Sequence, residues 1–203
     1  MITLPQTEIE FSEEEHRYTL RGVKLPSVTQ IMRPMSLILY NDVPMDALDN
    51  AADRGTRAHE QVSNYVLYGI EERDEDTEPY VNAFLAFQHS YRPEWIASEY
   101  RTYHKALRYA GTIDLIGYVE PDDGSGVDIV DLKCTAQFHG VMLATQIGAY
   151  AEALKSHGIP VRGRYGLQLL KTGGYRFEKV EDGFKTFLHC MGVVNAMERE
   201  RRA

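Results

Sequence analysis

The sequence predicts a mixed α/β (α+β) fold, with a central mixed β-sheet flanked by helices and an N-terminal β-hairpin. Segments of alternating polar and apolar residues gather in the middle of the chain, which is the period of a half-buried strand. Segments with apolar residues three and four apart lie to either side, which is the period of a helix face. Runs rich in Gly, Pro and Asp separate the two kinds. Strands and amphipathic helices bury their apolar faces by packing in layers. At 203 residues the chain suits one domain, with residues 1–40 forming the hairpin and a short helix and residues 41–203 the core.

The elements follow in order. Residues 9–25 alternate around an Arg21-Gly22 turn and read as a β-hairpin. Ser27 is placed to cap a short helix from Val28, and Pro34 to stop it. Residues 44–68 carry helical spacing at Leu48, Ala52, Ala58, Val62, Tyr65 and Val66, closed by Gly69. An acidic loop spans 71–78, and Pro79 starts a second helix that runs through Phe84 and Phe87 to about Tyr91. Residues 95–104, 111–120 and 127–135 read as an antiparallel meander, its last two strands joined by the turn PDDGSG at 121–126. A helix over 140–157 follows, then strands over 164–171 and 175–180 around Thr172-Gly173-Gly174. A closing helix over 182–202 takes Asp182 as its cap.

Composition narrows the function classes. Hydrophobic residues make up 43%, which suits a globular core and not a disordered chain. Apolar runs fall far short of the ~20 residues of a membrane span. The N-terminus has neither the basic start nor the apolar stretch of a signal peptide, so a soluble, cytoplasmic protein is expected. Two cysteines, Cys134 and Cys190, are too few for a disulfide framework or a four-cysteine metal or iron–sulfur site, and are expected as reduced, buried thiols. The net charge of -8 speaks against a surface coated in phosphate-binding groups. It leaves room for a narrow basic groove beside clustered carboxylates, and it predicts weak non-specific DNA binding.

The chemistry concentrates on the strands around PDDGSG. Asp114 lies on the first, and Asp131 and Lys133 on the second, where the two-residue period puts both on one face. Leu132 points the other way, but its carbonyl can lie on the active face. The neighbours are apolar (Ile113, Leu115, Ile116, Ile129, Val130, Leu132), so charges here are costly unless they pair or bind metal. Mg²⁺ takes oxygen ligands, typically one or two carboxylates with water and substrate phosphate. Bound there, it lowers the pKa of water and offsets charge on a phosphoryl group. Lys133 then orients or deprotonates the water, or holds the scissile phosphate. Taken alone, D…DxK fits a structural salt bridge equally well. His59, an imidazole that would let Mn²⁺ serve beside Mg²⁺, and Glu99 are each unremarkable singly. Gln146 and Tyr150, i and i+4 on one helix face, are no more telling alone.

Taken in order, G-T-x-x-H (55–59), Glu99, G-x-x-D (111–114), D-x-K (131–133) and Q-x-x-x-Y (146–150) resemble the RecB-type branch of the PD-(D/E)XK nuclease superfamily. That branch includes phage and prophage exonucleases and the mitochondrial genome maintenance exonuclease. Residues 18–32, with L-P-S-V-T at 25–29, resemble the entry segment of such proteins. The resemblance spans roughly residues 15–155. It implies a DNA exonuclease on a PD-(D/E)XK core, using one or two Mg²⁺ or Mn²⁺ ions, in phage or prophage recombination, repair or DNA processing. It implies His59, Asp114 and Asp131 as metal ligands with the Leu132 carbonyl, and Lys133 as the catalytic lysine. Glu99 would lie near the metal, and Gln146 and Tyr150 would position the site and contact the DNA backbone. Arg54 and Arg57 are added as candidate phosphate contacts. Ile113 stands where the superfamily usually has Pro. Some relatives hold a four-cysteine iron–sulfur cluster, and none is expected here. The phosphate-cradling loop of a helicase motor is missing from the sequence, which points to a stand-alone nuclease or one served by a separate helicase or annealing protein. A non-catalytic binding module and a structure-specific endonuclease are the alternatives.

Overall fold

The computed structural model describes residues 2–41, 44–135 and 137–202, and all of their side chains except those of 45–48 and 202. The Leu48 side chain of the expected helix face therefore lies outside the described residues. Strands β1 (Ile9–Ser12), β2 (Arg17–Leu20) and β3 (Val23–Leu25) form an antiparallel three-stranded sheet. The expected hairpin thus gains a strand. Its two halves are β2 and β3, joined through Arg21 and Gly22 at φ 52° and 74°, a pairing that suits the twist of a two-residue hairpin. A second turn at 13–16 adds β1, closed by His16 N–H to the Glu13 carbonyl at 3.1 Å.

Ser27 caps helix α1 (Val28–Ile31) through a reciprocal box. Its hydroxyl accepts from Gln30 N–H at 3.0 Å, and Gln30 Oε1 accepts from Ser27 N–H at 3.1 Å. Pro34 does not end the helical segment as expected. It lies in the first turn of α2 (Arg33–Leu39), where a missing N–H costs no hydrogen bond. Helix α3 (Met45–Tyr68) closes at Gly69 in the left-handed region, φ 70°, and α4 (Glu78–Tyr91) follows the acidic loop.

The main sheet has the order β4-β5-β6-β7-β8: β4 (Glu94–Tyr103), β5 (Ala110–Tyr118), β6 (Val127–Lys133), β7 (Val161–Leu169) and β8 (Tyr175–Lys179). The first three are the expected antiparallel meander. Strand β7 is parallel to β6, and helix α5 (Gly140–Ser156) makes the crossover. Helix α6 (Phe184–Arg202) starts where Asp182 Oδ1 accepts from Phe184 N–H at 3.0 Å. One face of the sheet packs Ile113, Ile116 and Ile129 against Ile147 and Leu154 of α5 and Phe187 of α6. The other packs Leu115, Val130, Leu132 and Leu167 against Ala58 and Val62 of α3 and Phe84 and Phe87 of α4. This is a three-layer sandwich, and β6 is buried on both faces. No helix among the described residues is long and apolar enough to cross a membrane.

One buried charge on β6 is structural. Asp128, 1% exposed, accepts from Val119 N–H at 2.9 Å and from the Arg162 guanidinium at 3.1 Å (Nε) and 2.9 Å (Nη2). Arg162 also donates to the Pro121 and Glu120 carbonyls, tying the PDDGSG turn to β7. Arg162→Ala would strand a buried carboxylate. It is expected to lower stability in guanidinium titrations by about 3–5 kcal/mol, and a loss under 1 kcal/mol would contradict this account.

Candidate metal centre

The centre lies where β5 and β6 part. Their ladder pairs Leu115 with Val130, Ile116 with Ile129 and Gly117 with Asp128, so the next position would set Asp114 against Asp131. There the pairing stops. Asp114 Oδ2 accepts from Leu132 N–H at 2.6 Å, and a side-chain bond replaces the backbone one. The backbone of Leu132 thus enters the site through its amide.

Side chains from α3, β4, β6 and α5 join Asp114 of β5 at this opening. From α3, His59 Nδ1 lies 3.5 Å from Asp114 Oδ1. From β4, Glu99 stands opposite Asp114, between the ladder pairs Ser98–Leu115 and Tyr100–Ile113. Glu99 has φ 50°, a left-handed conformation in mid-strand that a non-glycine residue holds only under strain. Ser98 Oγ donates to the Asp114 carbonyl at 3.1 Å beside it. One ligand atom each from His59, Glu99 and Asp114 lie within 4.8 Å of one another.

From β6, Asp131 is 1% exposed and forms an ion pair with Lys133, Nζ to Oδ2 at 2.6 Å. Its Oδ1 has no hydrogen-bond partner among the described residues. From α5, Gln146 Oε1 accepts from Lys133 Nζ at 3.2 Å, and Gln146 Nε2 donates to the Tyr150 hydroxyl at 3.2 Å. A Cβ at Gly111 would fall 2.6 Å from the Tyr150 ring, so glycine at 111 lets that ring reach the network.

Electrostatics match the geometry. Burial pushes Asp131 up to about 6, against the pull of Lys133. Burial and then the Asp114 charge push Glu99 up to about 7, although its outer edge is exposed to solvent. Burial would raise Asp114 too, but His59, Lys133 and the Leu132 amide hold it below the usual carboxylate range. Burial opposes charge on His59 and Lys133, and the acids outweigh it and raise both. The centre is therefore an acid-rich pocket short of cationic charge on its Glu99 side. Hard oxygen donors, one imidazole and an unbonded buried carboxylate oxygen suit Mg²⁺ or Mn²⁺.

The structure brings together His59, Glu99, Asp114, Asp131, Lys133, Gln146 and Tyr150. It does not bring Arg54 and Arg57 to them. Arg57 is held by Asp74 at 2.6 Å, Asp53 at 3.2 Å and Asp76 at 3.3 Å, which offset its charge. Arg54 lies over the Tyr80 ring, 5.7 Å from its centroid, on the α4 side of α3. Sequence reading passed over two tyrosines. The Tyr18 hydroxyl bonds Thr112 Oγ1 at 2.8 Å, two residues before Asp114. Tyr40, whose charged form would raise Lys133 further, sets its ring edge-on to His139 at 5.2 Å. Thr112 shares strand parity with Asp114, a signal that was available. Tyr18 and Tyr40 arrive from remote elements and carried no local signal.

No family model matches the chain, and no curated protein sequence does. Among solved structures, the alkaline exonuclease LHK-Exo from Laribacter hongkongensis is similar at a TM-score of 0.40 with 9% identity, over 72% of this chain and 84% of that one. LHK-Exo in complex with dAMP is similar at a TM-score of 0.46 with 10% identity, over 87% of this chain and 89% of that one. Likeness at this level concerns the course of the backbone alone.

The raised Glu99 pKa means that its charge destabilises the metal-free fold at neutral pH. Glu99→Gln is expected to raise the metal-free melting temperature by about 2–4 °C, corresponding to about 1 kcal/mol after allowing for solvent screening at an exposed carboxyl. The same variant should lose most of the melting-temperature rise that millimolar Mn²⁺ gives the unsubstituted chain. A lower metal-free melting temperature would show that Glu99 is instead a stabilising partner.

Proposed function

We propose that this chain is a Mg²⁺- or Mn²⁺-dependent DNA exonuclease of the RecB-type PD-(D/E)XK kind, acting at DNA ends in phage or prophage recombination or repair. The observation that carries the reading is the gathering of His59, Glu99 and Asp114 ligand atoms within 4.8 Å, beside the buried Asp131–Lys133 pair. A structural ion pair accounts for Asp131 and Lys133 alone. It leaves unexplained why a histidine and two further acids meet at the same opening, and why Asp131 Oδ1 is unbonded.

The donor set fits a divalent ion, held by His59, Asp114 and Asp131 with Glu99 at its edge and the Leu132 carbonyl as a backbone candidate. Such an ion supplies Lewis-acid stabilisation of phosphoryl charge and activates water. The protein's own contribution is orientation and charge. Lys133 keeps its proton because Asp131 and Asp114 surround it, so its Nζ serves best as a fixed donor to the scissile phosphate or the attacking water. Gln146 fixes that ammonium through its Oε1, and Tyr150 fixes Gln146. The burial of Asp131 limits access of bulk water to the ion pair, which strengthens its field at the phosphate. With a net charge of -8, long-range attraction of DNA is weak. Delivery by an annealing protein or a helicase fits that charge.

Labelled single- and double-stranded DNA with Mg²⁺ or Mn²⁺ provides the test. Lys133→Ala and Asp114→Asn are each expected to cut kcat by about 10²-fold or more with the fold intact. Absence of metal-dependent cleavage by the unsubstituted chain would sink the enzymatic reading. Cleavage of closed circular DNA would move the reading to an endonuclease.

A further inference from the structure

Gly55 lies in the interior of the 24-residue helix α3, one turn before His59 and on the same face. A glycine there destabilises a helix by about 0.5–1 kcal/mol relative to alanine. Such a residue is usually explained by packing or by backbone conformation, and neither applies among the described residues. Its φ lies outside the left-handed region, and a Cβ placed on it would meet no described atom within 4 Å. The other interior helical glycines differ. At Gly148 on α5, a Cβ would fall 2.6 Å from Phe184 N, so close helix packing demands glycine. Gly192 also has open space, but it is exposed on α6. Gly55 is half-buried and yet has open space beside its Cα among the described residues. The next turn of the helix carries His59, whose side chain is 24% exposed and 3.5 Å from Asp114.

We propose that Gly55 is a clearance residue. The sugar-phosphate backbone of the nucleic-acid strand presented to the metal centre crosses α3 here, in the space that any side chain would fill. The proposal rests on the nuclease reading and adds the path of the substrate over the helix. A strand that approaches His59 closely must also pass its preceding turn, where only a hydrogen-bearing Cα leaves van der Waals room for a phosphate and its sugar. The preference that glycine forfeits in the helix is returned as closer approach of substrate to the cluster.

Gly55→Ala and Gly55→Leu separate this role from a structural one. In Gly55→Ala the melting temperature should rise by about 2–4 °C, because the helix gains propensity and no atom is displaced. Mn²⁺ affinity by calorimetry should be unchanged in both variants. The value of kcat/KM on labelled DNA ends should fall, least in Gly55→Ala and by about 5- to 100-fold in Gly55→Leu. Unchanged kcat/KM in Gly55→Leu would overturn the proposal. A lower melting temperature in Gly55→Ala would also overturn it, by giving the glycine a structural reason. So would a fall in Mn²⁺ affinity parallel to the fall in activity, since the substitution would then act through His59. If the unsubstituted chain cleaves no DNA, the nuclease reading fails and takes this proposal with it. Cleavage that is indifferent to Gly55→Leu removes this proposal alone.

Discussion

Everything at the centre depends on one buried ion pair, Asp131 with Lys133 at 2.6 Å on a strand covered from both sides. A carboxylate at 1% exposure cannot rely on water, and one ammonium answers only one of its oxygens. Asp114 would be its partner across the ladder. Two carboxylates in adjacent ladder positions within an apolar sheet repel each other and lack donors. The ladder ends there, and Leu132 N–H turns to Asp114 instead. The opening between β5 and β6 follows from the charges placed on it.

The surrounding elements follow from the same constraint. Lys133 is long and flexible, and a fixed position requires a partner beyond its own strand. Gln146 supplies it, Tyr150 holds Gln146, and Gly111 leaves room for the Tyr150 ring. On the other side Asp114 draws His59 from α3, and the Asp114 charge raises the imidazole pKa against the effect of burial. The contrast with Asp128 is instructive. That acid is equally buried on the same strand, yet each of its oxygens has a donor and Arg162 meets it with two. Satisfaction distinguishes the structural acid from the one left with an open lone pair.

Most of the architecture was legible because its periods are clear. The order of strands and helices, the meander, and the Ser27 and Asp182 caps all follow from local pattern. The parallel placement of β7 follows from a helix long enough to cross over. What the sequence left open has local causes with a non-local outcome. Pro34 ends one helix or begins another depending on where the first turn falls, and the sequence allows both. Arg54 and Arg57 are adjacent to His59 in sequence, but a helix turns them 100° per residue, and the acids that hold Arg57 come from 17 and 19 residues on. In the centre, D…DxK was legible from strand parity. That Glu99 faces Asp114 was not, because it needs a left-handed residue in mid-strand that no pattern announces.

Several departures from good local structure lie on the elements that form the opening. Glu99 holds a strained backbone angle, Asp131 keeps an unbonded oxygen, β5 and β6 give up a ladder pair, and α3 carries a glycine with nothing packed on it. Each opposes stability. Elsewhere along β5 and β6 the sequence is locally consistent: apolar side chains fill both faces and Asp128 is fully bonded. At this opening the departures fall beside carboxylates and an imidazole, where a bound cation would offset the charge and supply Asp131 Oδ1 with a partner.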